Sequence, residues 1–353
     1  MTTRPFDFLI FIGRFQPLHL GHLAVLQQGL ERAEKLIVLI GSAWQPRSVR
    51  NPWSYAEREA MVHAALGPMG GRVLTAPLMD VPYNDEAWVR NVQSTVQGLV
   101  TAHHEVPHRP PRIGLIGHSK DHSSFYLKLF PQWDSVAVEN IGGLSSTPLR
   151  EALFGVDGER GGDAWLKSEA AQVLPAPVRD ELAHFCAGAD YAEVRAEHAF
   201  VAEYRKGWAK APYAPTFVTV DAVVVQSGHV LLVERKARPG QGLLALPGGF
   251  VDQHERLVDA CLRELREETR LKVPAPVLKG SIRAQQVFDE PYRSARGRTI
   301  THAFLIELEP AAELPKVKGG DDARYAYWLP LADLDPARMF EDHYFIIQHL
   351  LGL

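Results

Sequence analysis

Apolar residues arrive in short blocks whose spacing changes type along the chain. Phe6–Gly13, FDFLIFIG, is an unbroken apolar run closed by glycine and predicts a buried strand. Leu23, Leu26, Leu30 and Ala33 then recur at helical spacing, so LGHLAVLQQGLERAEK is expected to form a helix. LIVLIGSA (Leu36–Ala43) reads as a second buried strand, and SYAEREAMVHAAL as a helix with Ser54 as its N-cap. GRVLTAPLMDV is strand-like, EAWVRNVQSTVQGLV helical, and RIGLIG (Arg112–Gly117) a further buried strand. This alternation predicts an α/β domain with a doubly wound parallel sheet. Ligands of such sheets sit beyond the carboxyl ends of the strands. Gly13–His22, Gly41–Asn51, Val81–Trp88 and Gly117–Asp121 all follow strands in that way.

The pattern changes near residue 190. YAEVRAEHAFVAEYRKGWAKAPYAP is a charged helix running into prolines, so residues 188–211 are expected to join a first domain, 1–187, to a second, 212–353. TFVTVDAVVVQSGHVLLVER reads as two strands around the turn Gln226-Ser227-Gly228. A glycine-rich turn, a charged helix and strands in THAFLIEL and YAYWLPL follow, which predicts a mixed α+β second domain. The 353 residues suit two domains of ~150 residues each.

The formal net charge of −4 provides no global basic field for nucleic acid. Cys186 and Cys261 stand alone, without a CxxC, so neither a disulfide framework nor a zinc site is expected and a reducing cytoplasm fits. The apolar runs fall far short of the ~20 residues of a membrane helix. The N-terminal stretch reads as a strand, not as a signal peptide. The expected partners are small molecules, with neither nucleic acid nor membrane; self-association stays open.

Candidate chemistry sits at two places. FIGRFQPLHLGH puts Gly13, Arg14, His19 and His22 between the first strand and the start of the first helix. Glycine there allows close backbone approach to a ligand, and helix starts favour anions. Two imidazoles can donate to phosphate oxygens, and nucleotidyl transfer depends mainly on positioning and charge stabilisation. GGLSSTPLR adds Ser145, Ser146 and Thr147. Thr147-Pro148 reads as N-cap and first helical position, which puts Arg150 in a first turn, where it suits an anion.

GRFQPLHLGH with LSSTPLR resembles the paired HxGH and SSTxxR signatures of the nucleotidyltransferase superfamily. GSAWQPRSVRNPWSYAERE, DVPYNDEAWVRNV and GHSKDHSSFYLKLFPQW narrow the resemblance to the nicotinamide-mononucleotide adenylyltransferases of the bacterial and archaeal type, over roughly residues 1–187. The resemblance implies ATP over Gly13, Arg14, His19 and His22, with Ser146, Thr147 and Arg150 on its phosphates. The 5′-phosphate of nicotinamide mononucleotide would attack the α-phosphate, releasing pyrophosphate and forming NAD, with magnesium shielding the triphosphate. Asn84 and Trp88 would hold the nicotinamide, a cationic ring apt to stack on an indole. Arg47, Asn51 and Arg58 are further candidate phosphate or amide contacts. His19, His22 and Arg150 are the expected catalytic residues.

The second place is GGFVDQHERLVDACLRELREETRL. Glu264, Glu267 and Glu268 share one helix face and repel one another, a cost that makes sense if hard divalent cations lie between them. Arg263 can brace Glu267, Glu255 can orient the metal shell, and Gly248 and Gly249 offer carbonyls. Leu257, Ala260, Cys261, Leu262 and Leu265 supply the packing face. The spacing resembles the Nudix box, with Gly249, Glu255, Arg263, Glu264, Leu265, Glu267, Glu268 and Leu271 in frame and Arg270 in place of a glycine that lets the helix end left-handed. With FDEPYRSARGRTITHAFLIEL and GGDDARYAYWLPL, the chain resembles bifunctional enzymes that join an adenylyltransferase to an ADP-ribose pyrophosphatase. The resemblance implies Mg2+ or Mn2+ at Glu264, Glu267, Glu268 and Gly248, and AMP and ribose 5-phosphate as products. Glu264 and Glu267 are the expected catalytic carboxylates. Glu264, or a loop acid such as Glu290 or Glu341, is the candidate base. Arg283, Arg293, Arg296 and Arg298 form a basic run, with Arg283 and Arg296 expected on the pyrophosphate or ribose phosphate. Two alternatives remain: another phosphorylated acceptor in the first domain, and a second domain that senses ADP-ribose without cleaving it. No winged-helix segment for DNA accompanies the latter.

Overall fold

The computed structural model describes residues 4–105, 108–118, 129–138, 143–155 and 161–353. They form two compact units that divide after Ala196.

The first unit opens β1 (Phe6–Gly13), α1 (Leu20–Arg32), β2 (Ala33–Ile40), α2 (Tyr55–Leu66), β3 (Val73–Pro77), α3 (Asp85–His103), β4 (Ile113–His118) and β5 (Asp134–Val138). Every strand pair is parallel and the order is β3-β2-β1-β4-β5. Successive strand residues enter opposite cores, as period-two geometry requires. Leu9 and Phe11 join Leu36, Val38 and Ile40 on one face, while Phe8 and Ile10 join Ile37 and Leu39 on the other. α1 and α2 cover the first face, and Val92, Val96 and Val100 of α3 cover the second.

α1 ends earlier than its pattern predicted. Ala33, Glu34 and Lys35 are already strand, because Ala33 pairs with Phe6 and the helix passes into β2 without a loop. Ser54 caps α2 as expected, with Glu57 completing a capping box. In α4 (Ser146–Phe154) the N-cap position is Ser145, not Thr147, and its side chain makes no capping hydrogen bond, so Arg150 lies beyond the first turn. Most of GHSKDHSSFYLKLFPQW and Gly142 lie outside the described residues.

α5 (Gly161–Leu166), α6 (Ala176–Cys186) and the start of α7 (Ala189–Gly207) complete the first unit. Tyr191 and Val194 bury in its core, and the Tyr191 hydroxyl donates to the Leu153 carbonyl at 3.1 Å. The first unit therefore continues past residue 187.

The second unit contains β6 (Thr216–Gln226), β7 (His229–Arg235), β8 (Leu244–Ala245), β9 (Gly248–Phe250), α8 (Leu257–Thr269), α9 (Ala275–Gly280), β10 (Ile282–Phe288), β11 (Arg298–Glu307), β12 (Ala323–Pro330) and α10 (His343–Leu351). Its sheet runs β10-β11-β6-β7-β12, with β9 on β6 and β8 on β7. β11 and β6 are parallel and the other pairs antiparallel. Ser227 and Gly228 both take positive φ, which closes the predicted two-residue hairpin. The apolar face of α8, Ala260, Cys261, Leu262 and Leu265, packs on Val220, Ala222 and Val224 of β6. Asp221 sits between them in sequence and so faces the other way, into a cavity. Among the described residues, no helix is long and apolar enough to cross a membrane.

Candidate active sites

In the first unit the strand order reverses between β1 and β4, and open α/β sheets bind ligands at such a point. The loop after β1 carries Arg14, His19 and His22. The His19 and His22 rings stack at 3.8 Å between centroids, 22° from parallel. His22 Nδ1 accepts from the His19 backbone N–H at 3.3 Å. A neutral His22 therefore carries its proton on Nε2. A Cβ at Gly13 would lie 2.7 Å from Phe15 Cζ, so the Phe15 ring requires glycine's small size there.

Arg14 is the centre of an electropositive cluster. Its Nη2 donates to the Arg50 carbonyl at 2.8 Å and to Asn51 Oδ1 at 2.7 Å. Its Nε is buried with no acceptor in reach. Burial, then the nearby Arg50 and Arg150 charges, push its pKa down to about 9, against a smaller opposing effect of Asp80. Arg150, buried and donating to the Gln16 carbonyl at 2.6 Å and Thr147 Oγ1 at 3.1 Å, is pushed down to about 10 by burial and then by Arg50. Arginine does not deprotonate in proteins. These shifts therefore mark buried positive charges, set at further cost near one another, that an anion would relieve. Ser146 Oγ donates to the Pro17 carbonyl at 3.0 Å, and Thr147 is exposed beside Arg150. The structure thus brings Arg14 and Arg150 into one field and stacks His19 on His22.

Other expected contact residues have structural partners of their own. Arg58 is fully buried, and its guanidinium donates to the carbonyls of Ser54, Arg14, Gly41 and Ser42. It ties the loops after β1 and β2 together. Arg47 pairs with Glu57 at 2.7 Å and Asp190 at 2.9 Å. Asn84 is exposed and caps α3, its Oδ1 accepting from the Ala87 N–H at 2.9 Å. Trp88 is half-buried, 6.0 Å from the Phe130 ring centre. Both still lie on the carboxyl side of β3, as Gly13 does for β1.

In the second unit, a cavity of about 280 Å³ is lined by carboxylates of α8 together with Arg235, Arg293 and Arg296. Glu264, Glu267 and Glu268 all line it. Glu268 is buried, and its Oε2 accepts from the Gly248 N–H at 3.0 Å. Burial, outweighing that hydrogen bond, pushes it up to about 8, and the Glu264 charge adds to the rise. Glu264 is also raised, first by burial. A Cβ at Gly249 would lie 2.5 Å from Glu264 Oε1, so a larger residue there would displace that carboxylate. Arg263 grips Glu255 with Nε at 3.1 Å and Nη2 at 2.6 Å, and its Nη1 bridges Glu264 at 2.8 Å and Glu267 at 3.0 Å. Glu255 thereby orients Arg263.

Three mutually repelling carboxylates, Glu268 buried, Glu264 half-buried and Glu267 exposed, with oxygen-only donors fit a hard divalent cation. Among the described residues, no three His, Cys, Asp or Glu side chains are already grouped to hold one. Arg263 occupies Glu264 and Glu267 as they stand. Arg270 takes the place of the expected glycine in a left-handed conformation, φ 54° and ψ 23°, so the helix exit keeps its geometry.

The basic run dissolves in three dimensions. Arg296 lines the cavity. Arg293 lines it too, but is locked to Asp342 by two 2.8 Å hydrogen bonds. Arg298 donates to the Asp289 carbonyl. Arg283 faces Glu307 at 3.6 Å beside a different cavity, which corrects its expected place on the substrate. Glu341 lines the cavity, its Oε1 accepting from the Ala295 N–H at 3.0 Å; Glu290 does not line it. Sequence reading missed Arg235, Asp221 and His343, which also line the cavity. An acid inside the apolar run VTVDAVVV is a signal that could have found Asp221. Nothing local marks His343.

A parallel sheet with a histidine-arginine cluster, and a Nudix-type helix sharing a cavity with arginines, define a two-part nucleotide-processing enzyme: nucleotidyltransferase and Nudix hydrolase. The Cytidylyltransferase-like family model matches residues 10–151, and the NUDIX domain model residues 215–350. A nicotinamide/nicotinic acid mononucleotide adenylyltransferase of Acinetobacter baylyi is 40% identical over 151 residues, 42% of this chain and 76% of that protein. An ADP-ribose pyrophosphatase of Methanocaldococcus jannaschii is 35% identical over 136 residues, 38% of this chain and 73% of that protein. A crystal structure of a bifunctional NMN adenylyltransferase/ADP ribose pyrophosphatase from Francisella tularensis, complexed with AMP and a manganese ion, matches with TM-score 0.88 at 34% identity, covering 98% of this chain and 99% of that one. The chain belongs to the family of bifunctional nicotinamide-mononucleotide adenylyltransferase/Nudix ADP-ribose pyrophosphatases.

Proposed function

We propose that the first unit joins ATP to nicotinamide mononucleotide, giving NAD and pyrophosphate, and that the second hydrolyses ADP-ribose to AMP and ribose 5-phosphate. The opposed electrostatics of the two sites carry this reading. One concentrates buried arginine charge; the other sets buried carboxylates against arginines.

In the first reaction the mononucleotide's 5′-phosphate oxygen attacks the α-phosphorus, and the bond to the β-phosphate bridging oxygen breaks. The substrates bring both nucleophile and leaving group, so the protein positions them and stabilises charge. Arg14 and Arg150 hold the phosphates. His19 and His22 donate to oxygens that gain charge, with Ser146 and Thr147 at the helix start. Asn84 and Trp88 take the nicotinamide end.

In the second reaction water attacks one phosphorus of the pyrophosphate. Glu264, Glu267, Glu268 and the Gly248 carbonyl hold Mg2+ or Mn2+, which when bound neutralises the pyrophosphate and lowers the pKa of water. Arg235 and Arg296, lining the same cavity, balance the substrate's charge. Glu264 or Glu341 takes the proton of the attacking water; both line the cavity. The first activity belongs to the unit that ends at Ala196 and the second to the unit that follows it. Both cysteines are free, which suits a reducing cytoplasm.

The test is one reaction series with magnesium. ATP and nicotinamide mononucleotide should yield NAD and pyrophosphate, and ADP-ribose should yield AMP. Pyrophosphate release with pantetheine phosphate but not with nicotinamide mononucleotide overturns the first assignment. ADP-ribose binding without AMP release overturns the second and leaves a sensor.

A further inference from the structure

The second unit's cavity is small for the substrate proposed for it. Its volume, about 280 Å³, lies at the low end of the ~300–1,000 Å³ pockets that enclose whole small-molecule ligands. The facing carboxylates and arginines claim that space for the pyrophosphate and its cations. The nucleoside must then rest on the rim.

One rim residue has the right chemistry. Phe250 closes β9, directly after Gly248 and Gly249, and its ring is 39% exposed at the cavity. Its position is braced from behind. The Phe250 and Phe217 rings meet edge to face at 5.8 Å, and Phe217 meets Trp208 likewise at 5.3 Å. The Arg296 guanidinium lies 5.1 Å from the Phe250 ring centre. A rigid aromatic ring beside a cation, at the mouth of a pyrophosphate pocket, matches the two adjacent parts of a nucleotide: a flat base and a phosphate.

We propose that Phe250, braced by Phe217 and Trp208, is the stacking platform for the purine of the nucleoside diphosphate substrate, with Arg296 gripping the phosphate next to it. This rests on the ADP-ribose reading. Phe250 is a specificity residue: it contacts the base equally before and during reaction, so its loss falls on KM and not on kcat.

The experiment measures AMP release from ADP-ribose by the full chain with saturating Mg2+. It compares wild type, Phe250→Leu and Phe250→Tyr, and repeats the series, followed by ribose 5-phosphate release, with an ADP-ribose analogue carrying hydrogen in place of adenine. Phe250→Leu should raise KM for ADP-ribose about tenfold with kcat changed less than about twofold, as expected for loss of one base-aromatic stack. Phe250→Tyr should restore KM, and KM for the abasic analogue should be the same in all three proteins. An unchanged KM in Phe250→Leu, or an equal rise for the abasic analogue, overturns the platform. If Phe250→Leu fails to fold, the wild type decides alone: equal KM for ADP-ribose and the abasic analogue refutes base stacking. A wild type that releases no AMP overturns the parent reading instead.

Discussion

Replacing Arg150 by methionine should separate activity from stability. The side chain is 8% exposed and holds the buried Gln16 carbonyl at 2.6 Å and Thr147 Oγ1 at 3.1 Å. Losing the charged bond to Gln16 costs ~1.5–3 kcal/mol, and the exposed Thr147 contact adds little. Against this stands the cost of the charge itself. Burial and the Arg50 charge push the Arg150 pKa down to about 10. From an ordinary value near ~12.5, that is a destabilisation of ~3 kcal/mol at ~1.4 kcal/mol per pKa unit. Methionine keeps most of the apolar stem's packing. The two effects cancel to within ~1–2 kcal/mol, which for a unit of this size is a melting-temperature change of about 8 °C or less. Activity has no such compensation. Removing a preorganised donor to developing charge lowers kcat by ~10²–10³. The assay pairs calorimetric melting with NAD formation from ATP and nicotinamide mononucleotide. A fall of about 10 °C or more with NAD formation within tenfold of wild type would refute the reasoning, because Arg150 would then be a structural stitch like Arg58.

Glu267→Gln should abolish AMP formation and leave NAD synthesis intact, and His22→Ala should do the reverse; loss of both activities in either variant would rule out independent sites. His343 is buried and neutral, with a pKa near 3 caused first by burial, and its Nδ1 accepts from the Leu246 N–H. The unfolded chain gains that proton below ~6.5, so the stability His343 confers is complete above pH 6.5 and is lost as pH falls from 6.5 towards 3. Urea midpoints measured between pH 7 and 5 should fall more steeply in wild type than in His343→Gln; parallel slopes would contradict this. Arg270→Gly should stabilise the second unit by ~0.5–1 kcal/mol, since Arg270 holds φ 54° without a glycine's freedom; a lower urea midpoint would show that its side chain, packed close to Gly320, matters more.

Much of both units could be read locally. An unbroken apolar run located β1, turn residues the β6–β7 hairpin and an apolar helix face α8, because a buried strand or helix face must be apolar where it packs. Ser54 announced its helix for the same local reason: it satisfies N–H groups within three residues. The clustered glutamates were legible because one helix carries them all. Failures came where partners lie far apart in sequence. Arg58 resembled a phosphate contact until folding brought the carbonyls of Arg14, Gly41 and Ser42 around it. The four arginines between 283 and 298 formed one run in sequence, yet folding turned Arg283 to Glu307 and tied Arg293 to Asp342 in the cavity wall, beside Arg296 and Arg235. The end of α1 was missed because pairing of Ala33 with Phe6 overrode helical spacing. Short-range periodicity and capping thus wrote the elements and two clusters of chemical groups into the chain. Which charges lie buried, and which groups face one another, was decided only by packing, because desolvation and Coulomb energy depend on distances through space.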